Sequence, residues 1–195
     1  MKLARREPAL SYWLPQIPDQ IQVSTLNFGE FTVDRLIPPQ CIEQRAILYL
    51  HGGGYIGGSP ASTHRDYIWR IATATESEVW AVNYRKLPEF PFPAALDDAC
   101  RSYEALLKRF NATQIAVAGD SAGGGLALAL VLRLKGEGKE LPVALSVASP
   151  WTDLTCSGAS IAENSGTEVM VPEHLLNHIA GLYAGGQPLD HPYIS

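Results

Sequence analysis

The sequence lacks any apolar run that approaches the roughly 20 residues needed for a helix to span a membrane. Near its start it carries the positive side chains of Lys2, Arg5 and Arg6, but no apolar run follows them, as one would in a signal peptide. We therefore expect a cytoplasmic protein with no membrane span.

The sequence also contains few cysteines and has no excess of positive charge. The three cysteines, Cys41, Cys100 and Cys156, lie far apart and have neither metal-ligand nor redox spacing. A disulfide framework is therefore not expected, and a reducing compartment suits the chain best. The formal net charge of −5 offers no basic surface for nucleic acid, so no nucleic-acid partner is expected.

A metal-binding pattern is missing as well. His174 and His178 are four residues apart, but the zinc-peptidase pattern places glutamate directly after the first histidine, and here Glu173 precedes it. A metal site is therefore not expected.

Short apolar runs alternate with segments of helical periodicity from about residue 46 onward. Continuous apolar runs indicate strands that are buried on both faces of a sheet. The alternation predicts one α/β domain over 1–195, with a mostly parallel sheet and helices on both faces. The predicted buried strands are 46–50, 79–82, 115–118 and 143–148, and the predicted helices are 64–75, 94–107 and 122–135.

The segments around this region follow other patterns. Residues 23–28 and 31–37 are joined at Gly29-Glu30 and predict an antiparallel strand pair. Residues 1–20 are polar, interrupted by prolines, and fit a short segment that lies over another part of the protein. A helix is predicted over 171–183 with no strand before it, so we interpret 155–187 as an insertion.

Residues 119–123, Gly-Asp-Ser-Ala-Gly, match the Gly-x-Ser-x-Gly pattern of a nucleophile elbow. They follow the apolar strand directly and open the next helix, the setting in which such a serine is exposed. Ser121 is thus a candidate nucleophile, and the N–H of Ala122 at the helix N-terminus is a candidate oxyanion donor. The alternative is that Ser121 merely caps the helix.

A second glycine-rich loop, 51–58, follows the first buried strand and lies upstream of the serine. Consecutive glycines leave backbone N–H groups unshielded, so Gly53 and Gly54 are candidate oxyanion donors, with His51 and Gly52 ordering the loop. A phosphate-binding loop would need a lysine that is absent here, and the loop matches a dinucleotide fingerprint poorly.

The two loops together resemble the paired signatures of the hormone-sensitive-lipase-like esterases, a family with the α/β-hydrolase fold. The resemblance extends over roughly 40–195. Lys86-Leu87 departs from it, because the family usually has Leu-Ala there. The segments that carry the resemblance are 51–55, 83–89, 91–95, 119–124, 149–154 and 190–195.

The resemblance implies a triad in the chain order Ser, Asp, His. The last two members are expected beyond Ser195, so the sequence is interpreted as C-terminally truncated, without the last strands and helices of the fold. It also implies a partial cap, formed by 155–187 with a contribution from 1–20. We do not expect the other acids or histidines to substitute; His64, for example, is expected at the surface or on a pocket wall.

The implied activity is hydrolysis of carboxylic esters with short to medium acyl chains, through an acyl-enzyme on Ser121 and without a metal or cofactor. The partner would be a small-molecule ester held under the cap. The alternative is a non-catalytic ligand-binding homologue, as in the gibberellin receptor, which resembles this family. The predicted pocket walls are Tyr55, Trp151, Leu175, Leu176 and Tyr183.

The strand predicted at 143–148 would be an apolar sheet edge if no later strand covered it, and such edges promote association. We therefore expect the 195-residue chain alone to be poorly soluble or to pair this edge, for example in a homodimer.

Overall fold

The computed structural model describes residues 16–195, so most of the proposed N-terminal segment 1–20 lies outside the described residues. Six strands and five α-helices are found in the described part. The strands are β1 Gln22–Asn27, β2 Thr32–Ile37, β3 Ala46–Leu50, β4 Glu78–Asn83, β5 Ile115–Asp120 and β6 Ala144–Ala148. The helices are α1 Arg65–Thr75, α2 Ala94–Leu107, α3 Ser121–Gly136, α4 Ala159–Glu163 and α5 Glu173–Ala184.

The strands form one sheet in the order β1-β2-β4-β3-β5-β6. β1 pairs with β2 and β2 with β4 in antiparallel fashion, whereas β4, β3, β5 and β6 run parallel. The antiparallel pair and the mostly parallel sheet predicted from the sequence are both confirmed.

Helices cover both faces of the sheet, as predicted. Alternate residues of β3 show why, because Leu48 and Leu50 join the core cluster formed with α2 and α3, whereas Ile47 and Tyr49 join the cluster formed with α1. All five residues of β3 are buried, which its continuous apolar sequence requires.

β6 lies at one edge of the sheet, as expected, but the prediction that it is a buried strand is wrong for the described residues. Ala144, Ser146 and Ala148 are exposed, and Leu145 and Val147 are only partly buried. The cause is that β5 is its one strand partner within 16–195.

The segment 155–187 adds α4 and α5 and no strand to the sheet. The predicted helix at 171–183 corresponds to α5, which ends where Gly185 adopts a left-handed conformation with φ 60°. α5 is joined to the core by a face that includes Ile179, Ala180 and Tyr183. No helix within residues 16–195 is both long and apolar enough to cross a membrane.

Candidate active site

Ser121 lies in the sharp turn between β5 and α3. Its side chain is exposed and its φ is 50°, a left-handed conformation that is strained for any residue other than glycine. The preceding residue, Asp120, is still extended. This strand–turn–helix geometry is the one that the sequence motif predicted.

Two glycines make the turn possible. A Cβ atom on Gly119 would overlap the carbonyl group of Gly123, and a Cβ on Gly123 would overlap the carbonyl oxygens of Leu50 and His51. α3 therefore begins directly against the end of β3, and Ser121 lies next to the start of the glycine-rich loop.

The turn is also supported from the segment after β6. The backbone N–H of Trp151 donates a hydrogen bond to the carbonyl oxygen of Ser121 at 2.8 Å. Pro150 lies so close to α3 that a Cβ on Gly124 would approach it to 2.9 Å. Trp151, one of the predicted pocket walls, is thus held beside Ser121 and is half-buried.

The glycine-rich loop turns tightly after β3. Gly53, Gly54 and Tyr55 have φ angles of 121°, 61° and 59°, and the carbonyl oxygen of Gly53 accepts hydrogen bonds from the amides of Ile56 and Gly57. Within residues 16–195 neither the amide of Gly53 nor that of Gly54 donates a hydrogen bond. These two donors are therefore available to a bound group.

His51 is fully buried at the base of this loop. Its ring stacks on Tyr84 with centroids 4.3 Å apart, and its Nδ1 donates to the carbonyl oxygen of Gly52 at 2.7 Å. The hydroxyl of Tyr84 in turn donates to the carbonyl oxygen of His51. Burial, with a smaller effect from nearby Lys86, lowers the pKa of His51 to about 3, so the ring is neutral.

A carboxylate that the sequence did not single out joins the two loops. Oδ1 of Asp120 accepts hydrogen bonds from the Tyr49 hydroxyl at 2.7 Å and the Gly52 amide at 3.0 Å. Its Oδ2 lies 3.1 Å from Nε2 of His64. No sequence signal could reveal this cluster, because its members are up to 71 residues apart.

The structure places the predicted pocket residues in two different environments. Tyr55 and Tyr183 stack with ring centroids 3.7 Å apart and are only 3% and 1% exposed. They join the glycine-rich loop to α5, and their burial leaves almost no ring surface for a substrate to touch. Leu175 is exposed on α5 and Leu176 is half-buried.

The histidines of the described residues do not bond Ser121. His51 bonds Gly52, and His64 bonds Asp120 and Thr63 rather than lying free at the surface. His191 accepts from the amide of Tyr193. Among residues 16–195 no group of three His, Cys, Asp or Glu side chains is arranged so that it could hold a metal ion.

Known proteins share this architecture. The sequence profile of a family described as having the alpha/beta hydrolase fold matches residues 47–195. An acetyl-hydrolase from Streptomyces hygroscopicus is 40% identical over 160 residues, which are 82% of this chain and 53% of the relative. Hormone-sensitive lipase from Bos taurus is 30% identical over 164 residues, 81% of this chain and 22% of that protein.

Solved structures agree with the sequence comparisons. An esterase from the bacterial hormone-sensitive lipase family superposes with a TM-score of 0.88 at 36% identity, covering 95% of this chain and 62% of that one. The chain thus spans about half the length of its curated bacterial relatives. It belongs to the α/β-hydrolase fold family, in the branch of the hormone-sensitive-lipase-like esterases.

Proposed function

We propose that this chain is the nucleophile-bearing part of a serine hydrolase that cleaves carboxylic esters. One observation carries the proposal: an exposed serine in a left-handed turn, Ser121, lies beside a loop in which Gly53 and Gly54 have unbonded amides. A helix-capping serine would need neither the strained φ nor the second loop.

The chemistry follows from these groups. The hydroxyl oxygen of Ser121 attacks the acyl carbon, and the carbonyl oxygen becomes an oxyanion. The amides of Gly53, Gly54 and Ala122 donate hydrogen bonds to that oxyanion, and each such donor typically lowers the barrier by about 3 kcal/mol. The positive end of α3 stabilises the same charge.

The proton of Ser121 needs a base. We propose that a histidine, oriented by an aspartate, takes this proton and then gives it to the leaving alcohol, after which it activates the water that releases the acid. Both residues are expected in sequence that follows position 195. The described histidines support this view, because none of them bonds Ser121.

The proposed substrates are esters of short to medium acyl chains. Relatives named acetyl-hydrolase and ethyl acetate hydrolase point to small acyl groups, and a structural relative was soaked with p-nitrophenyl butyrate. Among the proposed pocket walls, the residues with surface that a substrate could contact are Trp151, Leu175 and Leu176, since each is partly buried or exposed.

The test is turnover of p-nitrophenyl acetate, butyrate and octanoate by the protein expressed from its complete reading frame. We expect the two shorter esters to be preferred, and Ser121→Ala to lower kcat by about 10⁴-fold or more. The 195-residue chain should show no turnover. A wild-type protein that binds these esters but never hydrolyses them would support a ligand-binding homologue instead.

A further inference from the structure

We propose that Asp120 is a positioning residue that holds the oxyanion loop against the nucleophile elbow, and that His64 fixes the orientation of its carboxylate. This inference rests on the proposed ester hydrolysis and assigns a role to two residues that touch no reacting atom. Asp120 directly precedes Ser121, and Gly52 directly precedes Gly53. The Asp120–Gly52 hydrogen bond therefore joins the two loops one residue away from the proposed nucleophile and from the first proposed oxyanion donor.

Gly52 lies so close to Asp120 that position 52 has no room for a side chain. A Cβ on Gly52 would overlap the Asp120 carboxylate. The glycine at this position is therefore needed for the approach of the carboxylate, in addition to any freedom it gives the loop. Tyr49, on the strand that leads into the loop, donates to the same oxygen as Gly52.

Three donors favour an ionised acceptor. Burial alone would raise the pKa of Asp120, but the hydrogen bonds from His64, Tyr49 and Gly52 outweigh it and lower that pKa below its ordinary value. The carboxylate is thus charged throughout the neutral range.

His64 contributes the third donor. An ionised carboxylate can only accept, so Nε2 carries the proton at the 3.1 Å contact with Oδ2 of Asp120. The other ring nitrogen, Nδ1, lies 2.8 Å from the hydroxyl of Thr63. The Gly52 amide lies 3.3 Å from the same Nε2 but 3.0 Å from the carboxylate. The shorter contact, to a charged oxygen, is the hydrogen bond.

Two aromatic rings lie near His64 in addition to the carboxylate. The ring of Tyr49 on β3 lies 6.2 Å away and that of neutral His51 lies 5.5 Å away. Asp120, at the end of β5, provides the carboxylate that His64 contacts at 3.1 Å among the described residues.

An amide at position 120 would behave differently, and this difference supplies the test. In Asp120→Asn the amide oxygen can still accept from Tyr49 and Gly52, but its NH₂ group then faces His64. Asp120→Ala removes the acceptor altogether. The two variants should therefore differ in how well the two loops are held together.

The experiment compares kcat and KM of Asp120→Ala and Asp120→Asn with those of the wild type, in the protein from the complete reading frame. We expect kcat to fall by about tenfold in Asp120→Ala and much less in Asp120→Asn, with KM little changed in both. Adding His64→Gln to Asp120→Ala should lower kcat no further, because His64 acts only through the carboxylate. Asp97→Asn, which breaks a distant ion pair with Arg133, should leave kcat unchanged.

Wild-type kcat in Asp120→Ala, or equal losses of kcat in Asp120→Asn and Asp120→Ala, would overturn the proposal. So would a further loss of kcat when His64→Gln is added to Asp120→Ala, because His64 would then act by a route other than Asp120.

Amide hydrogen exchange separates this inference from the proposed function. The Gly52 amide should be protected in the wild type and lose protection in Asp120→Ala or, if that variant does not fold, lose part of it in Asp120→Asn, where a neutral oxygen replaces the charged one. If this happens in a protein that hydrolyses no ester, the proposed function fails and the link between the loops stands. An unchanged Gly52 protection factor would refute the link whatever the activity.

Discussion

Gly123 lies so close to Leu50 that a single additional carbon on Gly123 would overlap the Leu50 carbonyl oxygen. The contact joins the first turn of α3 to the last residue of β3, and it brings Ser121 beside the loop that begins at His51. The proposed site therefore depends on backbone contact between two parallel strands and one helix.

Replacing Gly123 with alanine should be severely destabilising, because the backbone carbonyls of Leu50 and His51 cannot yield as a side chain could. We expect a loss of about 3 kcal/mol in the free energy of unfolding, measured by denaturant titration. The control is Gly181→Ala, where a Cβ on α5 would meet nothing and should slightly stabilise the helix. Equal effects of the two substitutions would contradict this account of the turn.

The strained conformation of Ser121 predicts that two inactivating substitutions differ in stability. Alanine would keep the cost of φ 50°, whereas glycine would relieve it. Ser121→Gly should therefore be more stable than Ser121→Ala by about 1 kcal/mol, as judged from their denaturant midpoints. Matching midpoints would show that the turn is not strained.

The buried ring of His51 predicts a loss of stability in mild acid. The pKa of His51 in the folded protein, about 3, lies below the ordinary value of about 6.5. Between these values the unfolded chain binds a proton on His51 that the folded protein does not bind. The free energy of unfolding should fall as pH drops between these values, by up to about 1.4 kcal/mol per pH unit for this one group.

His51→Asn provides the comparison, because an asparagine amide can still donate to the carbonyl oxygen of Gly52. We expect a shallower fall of stability with acid in this variant, whatever its stability at neutral pH. Parallel curves for the two proteins would mean that His51 is not the group that takes up the proton.

Tyr183 on α5 stacks on Tyr55 of the glycine-rich loop. We therefore expect α5 to hold the proposed cap, 155–187, against this loop. Tyr183→Ala should cost about 3 kcal/mol and speed proteolytic cleavage within 155–187, because α5 loses its most buried aromatic contact. Tyr67→Ala, which removes a tyrosine that is 49% exposed on α1, should change both quantities far less. Unchanged cleavage in Tyr183→Ala would show that other contacts hold the cap.

The exposed β6 edge predicts association of the 195-residue chain. Ser146→Lys should reduce that association in sedimentation velocity experiments, because a charge on an edge strand opposes pairing. Ser24→Lys, on β1 at the opposite edge of the sheet, is the matched control and should have little effect. A wild-type chain that stays monomeric as its concentration rises would contradict the prediction.

Local patterns predicted most of the fold. The runs at 46–50, 79–82 and 115–118 correspond to β3, β4 and β5 within two residues at either end, because continuous apolar sequence between glycines and polar residues leaves few alternatives to a buried strand. α4 was missed, since five residues carry too little periodicity to indicate a helix. The exposure of β6 depends on what lies beside it, which its own residues do not reveal.

The candidate site divides in the same way. The turn at Ser121 and the loop that contains Gly53 and Gly54 could be predicted, because each is a short segment with a recognisable turn geometry. The contacts of Asp120 with His64 and of Tyr55 with Tyr183 could not, because they join residues 56 and 128 positions apart through the packing of separate loops.

The most direct test of the central claim is the reaction of the protein from the complete reading frame with a fluorophosphonate, followed by intact-mass and peptide mass spectrometry. The proposed mechanism predicts one adduct, located on Ser121, with ester turnover lost in proportion to labelling and no adduct in Ser121→Ala. An adduct on another residue, or full ester turnover by Ser121→Ala, would contradict the assignment of Ser121 as the nucleophile.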